Sequence, residues 1–321
     1  MKQFIALVFL SLLTGSVAMA QPPSWLPSCA TPGADNAFLG IQTIRLWQGQ
    51  APQAKGDGCY DVPTLTIFDP HRGTANGSAV IILPGGGYED LAANLEGRQF
   101  ADWFAARGFR AFVLSYRLPS HGYLLPVPLI DARRAIQLVR ARAEDYHISP
   151  NRIVLIGFSA GGHLAALTAT QPLPGDPNAA DSIDRVSSRP DYLVLGYPWL
   201  GAVSLDYSHL NYCKEFHLEE QCAELTKKYN PELFVSKDMP PTFIYHTFDD
   251  RTVPIEQSLS FFQAMVKAGV QTEYHVFASG AHGSGLGKGQ LSLEQWPGLL
   301  DIWLREKGLL TVDKTAPSGR P

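Results

Sequence analysis

Short apolar runs and helix-like stretches take turns along most of this chain. "AVIIL" (79–83) precedes "LEGRQFADWFAARG", "RAFVLSY" precedes "LIDARRAIQLVRARAEDY", and "RIVLIG" precedes a helix that opens after Ser159, with "YLVLGY" and "TFIYHT" continuing the series. An apolar period that switches between extended and helical at every step leaves few folds open. Parallel strands need crossover helices, and those helices cover both faces of the sheet. The expectation is an α/β fold with a mostly parallel central sheet flanked by helices on both faces. A helix over about 255–268, the strand "TEYHVF" and a last helix over about 292–307 extend the pattern. Earlier, "TIRLW" reads as a first strand. "TLTIF" (64–68) and "AVIIL" flank "DPHRGTANGS", whose Asn76-Gly77 is a turn signal, so these two strands are expected to form a hairpin. Asn76-Gly77-Ser78 also spells a glycosylation sequon, but the turn accounts for it.

The opening "MKQFIALVFLSLLTGSVAMA" carries one lysine, an apolar run from Phe4 to Leu13, and small residues at Ala18 and Ala20. That is the pattern of a cleaved secretory signal over residues 1–20, too short to anchor the chain in a bilayer. Residues 21–310 then form a single domain, interrupted at about 201–240 by a long polar insertion, and 311–321 make a loose, Pro-containing tail. A hydrophobic content of 45% with 17% charged residues suits one domain with a substantial core. Net charge is only −4, which offers no basic field for nucleic acid or anionic lipid. No later run is long enough to cross a membrane, so a periplasmic or secreted protein is expected. Four cysteines in an oxidising compartment should pair; three connectivities are open, with the local pairs Cys29–Cys59 and Cys213–Cys222 favoured. No metal site is expected, because neither Cys-x-x-Cys nor His-x-x-x-His spacing accompanies them.

The strand "RIVLIG" runs into "LIGFSAGGH" (155–163). Gly-x-Ser-x-Gly between a strand and a helix is a nucleophile elbow, a strained turn that lifts the serine over the sheet edge. Glycines flank it because side chains there would collide with neighbouring backbone. Ser159 is the candidate nucleophile. It needs a base and an acid to orient that base, and after such a turn they follow in the order acid, then His. Asp249 and Asp250 follow "TFIYH", and His282 stands in "SGAHGSG" after "TEYHVF", so all lie at strand ends on one rim. His163, His246 and His275 fall inside a helix or strands and read as packing or polar-contact residues. "LPGGGY" (83–88) supplies donors for a tetrahedral oxyanion, with Gly86 and Gly87 joined by the N–H of Ala160. A phosphate loop is excluded, since no Gly-Lys-Ser/Thr follows. Tyr88, Tyr197 and Trp199 are candidate substrate contacts, with rings that either face a sugar or line the pocket and core.

"PGGGY", "FADWFAARGFRAFVLSYRLP", "DARRAIQLVRARA", "RIVLIGFSAGGHLAA", "PPTFIYHTFDDRTVP" and "GAHGSGLG" together resemble the bacterial α/β-hydrolase esterases related to acetylxylan and feruloyl esterases. The resemblance runs from about residue 40 to 308. It implies Ser159 as nucleophile, His282 as base and, by the Asp-x-x-Val-Pro spacing of those relatives, Asp250 rather than Asp249 as acid. It also implies hydrolysis of small acyl esters, acetyl above all, on carbohydrate such as xylan, with no cofactor. Feruloyl and general short-chain esters come second. A lipase would want an apolar lid, and the 201–240 insertion is too polar for one. A serine peptidase or a non-catalytic binding protein of the same fold are the remaining readings. "HGSG", "YNPELF" and the cysteine-bearing insertion depart from the family pattern, which bears on acyl and alcohol preference.

Overall fold

The computed structural model describes residues 40–202 and 211–313. The signal stretch 1–20, Cys29, part of the insertion and the tail beyond Asp313 lie outside the described residues. Eight strands share one sheet: β1 (Thr43–Arg45), β2 (Thr64–Phe68), β3 (Ala79–Leu83), β4 (Arg110–Ser115), β5 (Ile153–Phe158), β6 (Tyr192–Gly196), β7 (Thr242–Thr247) and β8 (Thr272–Phe277). Their spatial order is β1-β2-β4-β3-β5-β6-β7-β8. The β1–β2 and β2–β4 pairs are antiparallel, and every pair from β4 through β3 to β8 is parallel.

Strand side chains alternate between two cores, one on each face. Ile81, Leu83 and Leu155 join the layer built by α2 (Val127–Ala141), α3 (Ser159–Thr170) and α6 (Glu256–Ala268). Val80, Ile82, Val154 and Ile156 join the opposite layer, built by α1 (Gln99–Ala105) and α7 (Trp296–Glu306). Both faces of the inner strands are therefore dry, which is why they read as continuous apolar text. Between these helices lie α4 (Tyr212–Glu215) and α5 (Cys222–Tyr229), tied by the Cys213–Cys222 disulfide. Cys59 is disulfide-bonded as well.

One expectation needs correction. β2 and β3 do not form a hairpin: β2 pairs with β4, and β3 lies on the far side of β4, between β4 and β5. The Asn76-Gly77 turn exists, with Gly77 at φ 80°, but it docks elsewhere. Asn76 N–H donates to Gly108 O, and its side chain donates to Arg107 O and accepts from Ser78 N–H. A strand buried on both faces gains more from two parallel neighbours in the sheet centre than from one hairpin partner. The start of the expected loose tail is also tied down, since Thr311 O accepts from Arg152 and Asp313 N–H donates to Asn76 O.

The chain leaves β3 for β4 on one side and returns for β5 on the other. α1 makes the first crossover on one face and α2 the second on the opposite face. That reversal opens a crevice at the carboxyl ends of β3 and β5, where sheets of this kind place their ligands.

Candidate active site

The loops beyond β3, β5, β6, β7 and β8 meet at that crevice. Ser159 follows β5 directly and stands at φ 50°, a left-handed backbone that costs a non-glycine residue energy and marks the elbow. The tight turn depends on its glycines. A Cβ on Gly161 would lie 2.2 Å from Leu83 O and 2.5 Å from Pro84 O, so any side chain there would push Ser159 away from the glycine turn. Ser159 also begins α3, whose amino end favours developing negative charge.

Ser159 Oγ lies 2.8 Å from His282 Nε2, and His282 Nδ1 lies 2.7 Å from Asp250 Oδ2. An ionised carboxylate only accepts, so Nδ1 carries the proton and Nε2 is left to accept from the serine hydroxyl. Four donors converge on Asp250. Thr252 N–H and Val253 N–H reach Oδ1 at 2.9 Å each, and His282 and His246 Nε2 (3.2 Å) reach Oδ2. Burial alone would raise the Asp250 pKa, but the hydrogen bonds from His246 and His282 outweigh it and hold the group well below the usual carboxylate range. Asp249 does separate work, accepting from Gly280 N–H at 2.9 Å in the loop that carries His282.

His246, read from sequence as a packing or polar-contact residue, touches the same carboxylate as His282. Its Nε2 faces two acceptors, Asp250 Oδ2 and Val253 O, so that nitrogen bears the proton and Nδ1 accepts from Ser258 at 2.7 Å. Glu96 is a residue that sequence reasoning missed. It is buried and accepts from Gly85 N–H at 2.6 Å and from Tyr197 OH at 2.7 Å.

In the glycine turn, Gly86 (φ 126°) is exposed and Gly87 (φ 67°) half-buried. Among the described residues no acceptor takes the N–H of either, while Gly86 O accepts from Glu89 and Asp90 N–H. Ala160 is buried at the second position of α3, where a helix leaves its N–H unpaired.

The three aromatic candidates for substrate contact are buried, in keeping with the second reading offered for them, as lining of the pocket and core. Tyr88 is 0% exposed, Trp199 1% and Tyr197 2%, so none offers a ring face to a sugar. Tyr88 OH is bound to His163 Nδ1 at 2.8 Å, and its ring meets Tyr212 of the insertion edge-on. Tyr197 OH is spent on Glu96, and its ring stands edge-on to His282, with centroids 5.0 Å apart. The backbone N–H of Trp199 donates to Ser159 O at 2.9 Å. These residues brace the site from within.

The Tyr88 partner carries a pH consequence. His163 Nε2 faces Tyr229 O at 2.9 Å and so bears the proton, leaving Nδ1 to accept from Tyr88. Burial pushes the His163 pKa down to about 4. Between pH 6.5 and 4 the unfolded chain therefore binds a proton that the folded chain refuses, and stability falls as pH drops through that window. The full shift is on the order of 3 kcal/mol. Urea midpoints at pH 7 and 4.5 should separate widely for the wild type, and His163→Gln should narrow the gap. An equal gap in both proteins would assign the acid sensitivity elsewhere.

Comparison with known proteins places this geometry in context. The BD-FAE family model matches residues 65–189, and the prolyl oligopeptidase family model matches residues 199–307. The acetylxylan esterase of Xylanibacter ruminicola is 33% identical over 218 residues, 66% of this chain and 42% of that protein. Endo-1,4-beta-xylanase B of Butyrivibrio fibrisolvens is 31% identical over 73% of this chain and 38% of its own length. The chain thus spans less than half the length of these curated relatives. Among solved structures, the acetyl ester-xyloside bifunctional hydrolase of Caldicellulosiruptor lactoaceticus superposes with a TM-score of 0.74. It is 36% identical, over 84% of this chain and 97% of that one. Apo esterase 2 of Thermogutta terrifontis gives 0.69 at 29% identity, over 86% and 98%. Sequence and backbone agree across nearly the whole of the Caldicellulosiruptor hydrolase, and the chain belongs to the α/β-hydrolase esterases, a family of carboxylic ester hydrolases.

Proposed function

We propose that this protein is an exported serine esterase that removes small acyl groups, acetyl above all, from carbohydrate such as xylan. The observation that carries the reading is the unbroken line from Ser159 Oγ through His282 to Asp250, with spacings of 2.8 and 2.7 Å. In the proposed cycle the Ser159 oxygen bonds to the ester carbonyl carbon while His282 Nε2 takes its proton. The carbonyl oxygen becomes an oxyanion facing the N–H groups of Gly86, Gly87 and Ala160. As the carbon–alkoxide bond breaks, the imidazolium returns the proton to the leaving alcohol. Water then repeats the sequence on the acyl-enzyme, releasing the acid and restoring the serine. Protein groups supply every proton transfer, so the cycle needs no metal or organic cofactor.

The acetyl and xylan assignment draws on the relatives, named as an acetylxylan esterase and an acetyl ester-xyloside hydrolase. Export is supported by the signal pattern over 1–20 and by the Cys213–Cys222 disulfide. No helix among the described residues is long and apolar enough to cross a membrane.

The test is release of acid across acetylated xylan, acetylated monosaccharides, methyl ferulate and a chain-length series of 4-nitrophenyl esters. Acetyl esters should be turned over at least ~10-fold faster than octanoyl, since a pocket shaped for two carbons discriminates by roughly that factor or more. A preference for eight carbons or longer would overturn the carbohydrate reading. The prolyl oligopeptidase match covers Asp250 and His282 and favours one second reading, a peptidase. Faster cleavage of a dipeptidyl 4-nitroanilide than of any ester in the panel would establish it.

A further inference from the structure

The glycine turn and the histidine loop come from opposite ends of the chain, yet one buried carboxylate connects them. Glu96 lies in a π-helical turn, Ala93–Arg98, that leads into α1. Such turns carry one more residue per turn than an α-helix and recur where a side chain must be aimed at a site. Here the aimed group is an acid, 3% exposed, on a segment whose other charged residue, Arg98, points to solvent.

Both oxygens of Glu96 are used. Oε2 accepts from Gly85 N–H at 2.6 Å, at the first residue of the glycine turn. Gly85 is wedged: a Cβ there would stand 2.8 Å from Glu96 Oε2, 2.8 Å from Ser159 Cβ and 2.6 Å from Phe158 O. Oε1 accepts from Tyr197 OH at 2.7 Å, and the same tyrosine oxygen accepts from Gly285 N–H at 3.2 Å, three residues beyond His282. The directions are consistent throughout, since Gly285 N–H donates to Tyr197, Tyr197 donates to Glu96, and Gly85 N–H donates to Glu96. Tyr245 OH and Trp296 Nε1–H hold Gly285 O from the other side, at 3.3 and 3.1 Å. Tyr116 OH holds Pro84 O at 2.7 Å, so the residue before Gly85 is fixed too.

We propose that Glu96 is a positioning residue: through Gly85 it sets the aim of the Gly86 and Gly87 donors, and through Tyr197 and Gly285 it sets the loop that carries His282. The proposal rests on the esterase reading above. A carboxylate that spans two loops fixes their separation in a way that neither loop's own hydrogen bonds can. Burial raises the Glu96 pKa, while the bonds from Tyr197 and Gly85 and the nearby His282 oppose that rise. Glutamine in its place keeps the shape but has only one acceptor oxygen, so one of the two donors must lose its partner.

The experiment compares wild type, Glu96→Gln, Tyr197→Phe and the double variant in kcat and KM for 4-nitrophenyl acetate, with the thermal midpoint of each. Displacing catalytic groups by a fraction of an ångström to one ångström costs up to about 100-fold. Glu96→Gln should lower kcat by about 10- to 100-fold, with KM changed by less than about 3-fold, because ester binding does not use this carboxylate. Tyr197→Phe should lower kcat in the same sense. The double variant should be little worse than Glu96→Gln alone, since both changes break one chain of bonds. A Glu96→Gln protein that melts earlier but keeps wild-type kcat would reduce Glu96 to a structural part and overturn the proposal. So would losses that multiply in the double variant. If Glu96→Gln does not fold, Tyr197→Phe decides: an unchanged kcat overturns the proposal and a selective fall in kcat supports it. A wild type inactive on every ester would bring down the esterase reading and this one with it, whereas an active wild type with an unimpaired Glu96→Gln removes Glu96 alone.

Discussion

Replacing Ser159 by alanine will lower kcat for 4-nitrophenyl acetate by about 10⁴- to 10⁶-fold and leave the melting temperature close to that of the wild type. The two halves of that expectation have separate causes. Activity falls because the change removes the proposed attacking atom: Ser159 Oγ is the group at 2.8 Å from His282 Nε2. What remains is the site's capacity to bind an ester and stabilise charge, which alone gives slow turnover over the background in water. Stability holds because alanine keeps the Cβ, meets the same backbone strain at φ 50° and deletes one hydrogen bond at a partly open site. Polar groups gathered for catalysis commonly cost stability, so a midpoint slightly above the wild type fits the same argument. Wild-type turnover in the variant would mean that another group attacks. No turnover in either protein would point to a hydrolase-fold binding protein instead.

The distance between what the sequence announces and what it conceals follows from locality. Strand and helix text is local, and the period switches at "AVIIL", "RIVLIG" and "TFIYHT" mark elements that are there. That Ser159, Asp250 and His282 come together was legible for the same reason. Each stands in the turn or loop at the carboxyl end of a strand, and parallel strands put all their carboxyl ends on one rim. Pairing is not local. The Asn76-Gly77 turn signals a reversal of direction, but which neighbour β3 takes depends on burial on both of its faces, and that places it between β4 and β5. The burial of the aromatic residues was hidden in a different way. Tyr88 at φ 66° and Tyr197 at φ 34° leave the extended backbone, so the alternation that tells inward from outward along a strand no longer applies to them. Glu96 was hidden by a change of helical period: in "LEGRQF" it looks like one acid on a surface helix, and only the π-helical turn brings it under the glycines. A signal existed for His246, a histidine four residues before the candidate acid at the end of an otherwise apolar strand. A polar group buried there needs partners, and the loop after β7 is where they had to be.

Asp250→Asn should lower kcat by about 10³- to 10⁴-fold, and the reason lies in how the four donors are divided. Asparagine offers one acceptor oxygen and one amide nitrogen in place of two acceptor oxygens. If the nitrogen took the Oδ1 position, it would face the N–H groups of Thr252 and Val253, now 2.9 Å away. Backbone N–H groups cannot change their role, so that orientation leaves buried donors opposed to donors. The nitrogen is therefore driven to the Oδ2 position, facing His282 Nδ1 and His246 Nε2. An imidazole can respond by moving its proton. Once His282 accepts from the amide at Nδ1, the proton sits on Nε2, and the nitrogen that should take the serine's proton has none of its basicity left to offer. The geometry around Ser159 survives while the base is disabled. Raising the pH does not restore the acceptor, because the wrong tautomer is neutral and has no proton to lose in the working range. The measurement is kcat against pH for both proteins: a deep loss that persists across pH 6–9 supports the argument, whereas a variant that regains wild-type kcat at high pH would show that Asp250 sets only the charge of His282 and not its tautomer.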